Sequence, residues 1–273
     1  MICFPNCKIN IGLHVHKKRP DGFHNIETML YPVPLSDILE IVPGAKFSFS
    51  QSGLPLNIPA DNNLVVKAYH MMKKHFHIPP CRIHLHKVIP PQSGLGGGSS
   101  DAAFTLTLLD QLFELESDLA TLEQMASELG SDCPFFIRNR PALATGKGDS
   151  LADPDTSLQG LFLCLAVPPF GVNTSEAYSR IRPRTQKQDL LKIIRQPKNK
   201  WRDILKNDFE AEVFIMHPGL KEIREMLYGK GALYASLSGS GSAMYGLFHT
   251  KPDLRFPPDY KTWCLTLNNT PVK

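Results

Sequence analysis

One glycine-rich stretch holds the densest chemistry: Pro90-Pro91-Gln92-Ser93-Gly94-Leu95-Gly96-Gly97-Gly98-Ser99-Ser100-Asp101-Ala102-Ala103. Glycines lack a Cβ, so backbone N–H groups can converge on a ligand there. A helix start adds unpaired N–H donors and partial positive charge, and phosphate is the anion that such a turn suits. Near the start of the chain, Lys8 and Asn10 stand two apart in Pro5-Asn6-Cys7-Lys8-Ile9-Asn10-Ile11. On a strand they project to one side, with Ile9 and Ile11 on the other. The pair either decorates a half-exposed edge strand or points a cation and an amide into a site. Asp132, one residue before Cys133-Pro134, reads on these residues alone as the cap of a helical turn.

The flanks of the glycine stretch say what positions it. Before it, Cys81–Ile89 has apolar residues at 83 and 85 and again at 88 and 89, which reads as a strand. After it, Ala102, Ala103, Leu106, Leu109, Asp110 and Phe113 fall on helical spacing, so a helix is expected to begin near Ser99. A loose linker does not sit tightly between a strand and a helix. Two common phosphate-binding patterns fail. Gly98 is followed by Ser99-Ser100 with no lysine, against the P-loop. The dinucleotide pattern needs a glycine at Ser99 and an acid ending a second strand, whereas Glu114 and Glu116 lie between helical segments.

Other elements follow from the same reasoning. Cys3–Val15 reads as a strand, and Pro20-Asp21-Gly22 as a turn before a second strand carrying His24. Pro59–His75 reads as an acid/amide cap at Asn62 or Asn63 and a helix with the stripe Leu64, Val65, Ala68, Met71. Asp118–Leu129 is a helix stopped by Gly130, and Pro218–Tyr228 one stopped by Gly229. Gly146-Lys147-Gly148 is a turn expected to close a first domain near residue 150. Leu161–Val167 is an apolar strand broken by Pro168-Pro169. Tyr234–Phe248 holds two strand-like runs joined by Ser238-Gly239-Ser240-Gly241-Ser242, and Thr262–Leu267 is a last strand.

With 273 residues, 42% hydrophobic and 21% charged, the chain suits one large domain or two moderate ones. A net charge of +4 fits anionic substrates and is too diffuse for nucleic acid. The basic stretch Arg180–Lys200, with helical spacing at Leu190, Leu191, Ile193 and Ile194, lacks interleaved aromatics and reads as a solvated face. Met1–Pro20 has no apolar h-region, and no run is long enough to span a bilayer, so a cytoplasmic chain is expected. Six scattered cysteines then read as reduced, mostly buried thiols. The alternating pairs His14/His16 and His84/His86 have no third metal ligand at a recognisable spacing and read as strand-surface histidines.

The glycine stretch resembles the nucleotide loop of the GHMP kinases, which include galactokinase, homoserine kinase and mevalonate kinase. Three further motifs narrow the resemblance: Cys7-Lys8-Ile9-Asn10, Asp21-Gly22-Phe23-His24 and Gly130-Ser131-Asp132-Cys133-Pro134-Phe135-Phe136. In this order and spacing they are similar to the 4-diphosphocytidyl-2-C-methyl-D-erythritol kinases of the non-mevalonate isoprenoid pathway. That family carries alanine where Cys7 stands and tyrosine where Phe23 stands. The resemblance implies an α+β, two-domain GHMP kinase fold: an N-terminal nucleotide-binding domain over 1–150, like ribosomal protein S5 domain 2, and a ferredoxin-like substrate domain over 151–273. It implies transfer of the γ-phosphoryl group of ATP, with Mg²⁺, to the 2-hydroxyl of the family's substrate.

The implied roles attach to motif positions. Pro90 through Ser100, with Asn63 and Leu64, would hold ATP, and Lys8 and Asp132 would be catalytic. Asn10 would hold the erythritol end, and His24 would read the cytosine edge. Phe23 and Tyr178 would stack on the base, with Thr174 beside it. Gly239, Ser240 and Gly241 would pack against the phosphate loop. Ser100 and Asp101 are positional candidates for Mg²⁺, neither assigned. The partner implied is a small molecule, with no nucleic acid or membrane, for a monomer or weak homodimer. Two rivals share the glycine turn: a GHMP kinase for homoserine or mevalonate, and a non-catalytic binding protein of the same fold.

Overall fold

A computed structural model describes residues 1–181 and 189–268. Part of the basic stretch, 182–188, and the tail 269–273 lie outside them. Among the described residues three four-stranded sheets form. The first orders β1 (Ile2–Cys3), β4 (Ile38–Pro43), β6 (Cys81–Lys87) and β5 (Ser48–Gly53), antiparallel except for β5 against β6. The second orders β2 (Asn6–Lys18), β3 (His24–Ser36), β7 (Ala142–Thr145) and β8 (Ser150–Ala152), all antiparallel. The third orders β10 (Tyr234–Leu237), β11 (Met244–Phe248), β9 (Phe162–Val167) and β12 (Lys261–Thr266), also antiparallel.

Helices α1 (Leu64–Phe76), α2 (Gly97–Leu112) and α3 (Leu119–Leu129) pack with the inner face of the first sheet, burying Leu39, Ile41, Ile83 and Leu85. Asn63 caps α1 by accepting from the Val65 amide, and Asp118 caps α3 through Thr121. The buried face of α1 is Val65, Val66, Ala68, Tyr69 and Met72, rotated from the stripe read in the sequence. Leu64 and Met71 are only half-buried, because α1 is gripped by two neighbours and Tyr69 stacks on Phe47 at 4.4 Å. The short α4 (Cys133–Arg138) sets Phe135 and Phe136 against Leu30 and Ala103.

The chain between β9 and β10 carries α5 (Thr174–Arg180), α6 (Leu190–Ile194), α7 (Trp201–Ile204), α8 (Glu210–Met216) and α9 (Pro218–Gly229). The strand order of the third sheet is that of a ferredoxin-like fold, with a non-helical connection between β11 and β12. Gly229 lies inside α9, and the chain turns at Gly231, which sits at φ +89°. The turn Gly146–Gly148 joins β7 to β8, so the second sheet runs through residue 150.

Strand β2 ties the halves together. Cys7, Ile9 and Ile11 join a core that includes Leu163, Leu165 and Tyr245 of the third sheet. A bulge at Gly12 (φ +64°) adds one residue between the Ile11 and Leu13 pairings. An inserted residue reverses the alternation of faces. Leu13 and Val15 therefore enter the core on the other side of the third sheet, among Cys164, Phe209 and Val213. His14 turns inward, 5% exposed and 3.7 Å from Glu27, which corrects its reading as a surface histidine. His84 and His86 are half-buried and bonded to Ser50 and Ser52 of β5.

Candidate active site

The glycine turn is held with its carbonyls facing the protein. Ser93 O accepts from the Ala243 amide, Leu95 O from the Lys8 amide, and Gly94 O from the Ser238 hydroxyl at 3.0 Å. Helix α2 begins two residues earlier than expected, at Gly97, because Gly96 takes the cap position at φ +72°. The first amides of α2 thus face the turn without partners inside the helix. Gly94 (φ +78°) lies so close to the third motif that a Cβ there would come within 2.0 Å of Ser238 O. Gly94→Ala combines left-handed strain with this overlap and is expected to destabilise by about 2–3 kcal/mol. It should lower Tm by about 5–10 °C and raise KM for ATP. A thermal melt and ATP titration check this, and an unchanged Tm contradicts the close approach.

Lys8 reaches the same turn from β2. It is 3% exposed, and its Nζ donates to Asn10 Oδ1 at 2.6 Å and to Gly94 O at 2.8 Å. Asp132 Oδ2 lies 3.4 Å from that ammonium, across the mouth of the turn. Asp132 occupies the cap position of α4 but makes no side-chain cap bond, so its carboxylate is left for the cleft. Asn10 is fixed in turn, donating to Thr28 Oγ1 at 3.1 Å. The Thr28 hydroxyl donates to Gly12 O.

Lys8, Asn10 and Asp132 line one cleft of about 890 Å³, together with Gly94, Gly96, Ser99, Phe23, His24, Thr174, Tyr178, Gly239 and Ser240. His24 and Tyr178 stack on each other, centroids 5.2 Å apart and 17° from parallel, and Phe209 packs edge-on against Tyr178. Burial, with Lys18 nearby, lowers the His24 pKa, which favours a neutral ring with one donor and one acceptor. Burial, with Asp132 adding to it, pushes the Tyr178 hydroxyl up to about 12. Phe23 is 58% exposed at the rim, and the Lys147 ammonium stands 5.6 Å from its ring centroid. Thr174 and Ser240 are linked by their hydroxyls at 3.1 Å.

Asn63, Leu64, Pro90, Pro91, Gln92, Ser93, Leu95, Gly97, Gly98, Ser100 and Gly241 are not among the residues lining this cleft. Several of them shape the turn instead: the Ser93 hydroxyl donates to Pro90 O, and Leu95 is fully buried.

Beneath the turn lies a cluster that sequence reasoning missed. The Lys87 ammonium at the end of β6 donates to Asp37 Oδ2 and, at 2.7 Å, to Asp101 Oδ2 in the first turns of α2. Asp37 Oδ1 accepts the amides of Val88 and Ile89. All three side chains are at most 3% exposed. Burial raises the Asp101 carboxyl above its ordinary range, with Lys87 opposing and Asp37 adding to the shift. Asn207 was also missed as a support: its Nδ2 donates to Leu237 O and Gly239 O, both at 2.9 Å. Neither had a local signal, since the partners are far apart in the chain.

The two positional candidates for Mg²⁺ do not fit it. Asp101 points down to Lys87, and the Ser100 hydroxyl is sealed from solvent. Among the described residues no group of three or more His, Cys, Asp or Glu side chains is arranged to hold a metal ion.

Comparison with known proteins places this geometry. Residues 63–140 match the model of the GHMP kinases N terminal domain, and residues 189–255 that of the GHMP kinases C terminal region. A 4-diphosphocytidyl-2-C-methyl-D-erythritol kinase of Parabacteroides distasonis is 50% identical over 248 residues, covering 91% of this chain and 92% of that one. The chain belongs to the 4-diphosphocytidyl-2-C-methyl-D-erythritol kinase family. A crystal structure of a kinase of this family superposes with TM-score 0.76 at 31% identity, over 90% of each chain. A mevalonate kinase structure shares the fold, with TM-score 0.72 at 13% identity over 98% and 99% of the two chains. The α+β GHMP kinase architecture expected from the motifs is thus the one the chain adopts. Among the described residues no helix is long and apolar enough to cross a membrane.

Proposed function

We propose that this chain transfers the γ-phosphoryl group of ATP to the 2-hydroxyl of 4-diphosphocytidyl-2-C-methyl-D-erythritol. The observation that carries the reading is the Lys8–Asp132 apposition, 3.4 Å across the mouth of the glycine turn. Phosphoryl transfer asks the protein mainly for positioning and charge stabilisation. The acceptor hydroxyl sits between the two side chains, in line with the γ-phosphorus. As the new O–P bond forms and the bond to the β-phosphate oxygen breaks, Asp132 accepts or orients the hydroxyl proton. The Lys8 ammonium stabilises charge on the alkoxide and the transferring group. The turn amides and the α2 N-terminus hold the phosphates of ATP. Mg²⁺ accompanies ATP as a phosphate-bound counter-ion, usual for an ion that keeps several waters.

At the other end of the cleft, His24 reads the cytosine edge with its donor and acceptor. Phe23 and Tyr178 supply ring faces, and Thr174 and Asn10 hold polar groups between base and hydroxyl. The reading keeps residues 1–150 as the nucleotide half and 151–273 as the substrate half, in a cytoplasmic monomer or weak homodimer. A coupled ADP-release assay over cytidine-diphosphate polyols and sugars tests it. Turnover is expected with the methylerythritol compound and not with homoserine or mevalonate, and CDP should compete. The opposite substrate preference overturns the reading, and no ADP release with any alcohol leaves a binding protein.

His24→Ala is expected to raise the KM for the cytidine substrate about ten- to thirtyfold, the worth of a lost hydrogen bond and ring contact. The KM for ATP should change less than twofold. Equal shifts in both constants contradict the assignment to the base.

A further inference from the structure

Cys164 on β9 and Cys264 on β12 stand directly opposite each other in the antiparallel ladder. Their sulfurs are 2.6 Å apart. Directly opposed residues have Cα atoms about 4.5–5.5 Å apart, inside the range that a disulfide spans without backbone movement. The two thiols differ in access. Cys164 is buried with Ala166, Met244 and Phe248 in the core on one face of the third sheet. Cys264 is exposed on the edge strand, while α9 packs over β10 and β11. Neither cysteine lines the catalytic cleft.

We propose that Cys164 and Cys264 form a thiol–disulfide modification site, whose co-reactant is a small disulfide of the glutathione class and whose product is a disulfide stapling β12 to β9. The reaction proceeds by two exchanges. The exposed Cys264, as thiolate, attacks one sulfur of the small disulfide, whose S–S bond breaks and releases one thiol. Cys164 then loses its proton, attacks the Cys264 sulfur of the mixed disulfide and releases the second thiol. Two electrons pass from the protein to the small disulfide, and the two protons end on the released thiols. Burial, with Cys264 alongside, raises the Cys164 pKa, so the exposed partner attacks first. Burial likewise pushes Cys3, Cys7 and Cys133 up to about 12, which leaves them poor competitors. The staple joins residues 100 positions apart and encloses the segment bearing Thr174, Tyr178 and the Ser238–Ser242 turn.

The test incubates the full chain with oxidised glutathione, then counts thiols under denaturing conditions and maps peptides. Free thiols should fall from six to four, with a Cys164–Cys264 cross-link and no lasting glutathione adduct. Tm should rise by about 5 °C or more, reversed by dithiothreitol, with kcat unchanged. Cys164→Ala should instead keep a glutathione adduct on Cys264, because the resolving thiol is gone. Six persisting thiols, a stable adduct on Cys264 of the unsubstituted chain, or a cross-link without a Tm rise each overturns the proposal.

Discussion

Asp132→Asn is expected to lower kcat by about 10²–10⁴-fold, the usual worth of a positioned acid or base. The fold should be unaffected, because the carboxylate makes no cap bond on α4 and is about one-third exposed. Asparagine keeps the shape and can still meet the hydroxyl, but it cannot take a proton and carries no charge opposite Lys8. KM for ATP should stay within a few-fold, since the phosphates are held by the turn. Steady-state kinetics with an unchanged melting curve check the claim. Near-normal turnover removes Asp132 from the chemistry and leaves Lys8 and the turn to account for the rate.

Lys87→Met is expected to cost about 3–5 kcal/mol, because it leaves Asp37 and Asp101 buried without their cation. Tm should fall by about 10 °C or more. Adding Asp101→Asn should recover part of the loss by removing one of the unpaired carboxylates. A drop below about 1 kcal/mol would mean that water reaches the cluster and screens it like a surface pair. The cluster joins the end of β6, the start of α2 and the chain before β4, so its loss should also slacken the glycine turn and raise KM for ATP.

How much of this was legible in the chain follows how local each signal is. The strand–turn–helix around Gly94–Gly98 was, because glycine runs, apolar spacing and a helix start are read over a dozen neighbours. The order of four motifs carried the family, and the alternation of Lys8 and Asn10 against Ile9 and Ile11 gave their common side. His14 was misplaced, because a bulge at Gly12 reverses the faces of β2 that follow it as far as Val15. The α1 stripe was misjudged by part of a turn, because two neighbours rather than one bury that helix.

The sequence by itself determined the phosphate turn and the residue types facing it, through backbone freedom and short-range periodicity, and the fold class through the resemblance its four motifs carry. Tertiary structure alone decided that Lys8 and Asp132, 124 positions apart, come within 3.4 Å. It also decided that Lys87 gathers Asp37 and Asp101, and that Cys164 meets Cys264. Such pairings come from strand register and helix packing, and no spacing along a chain encodes which distant side chain closes a gap.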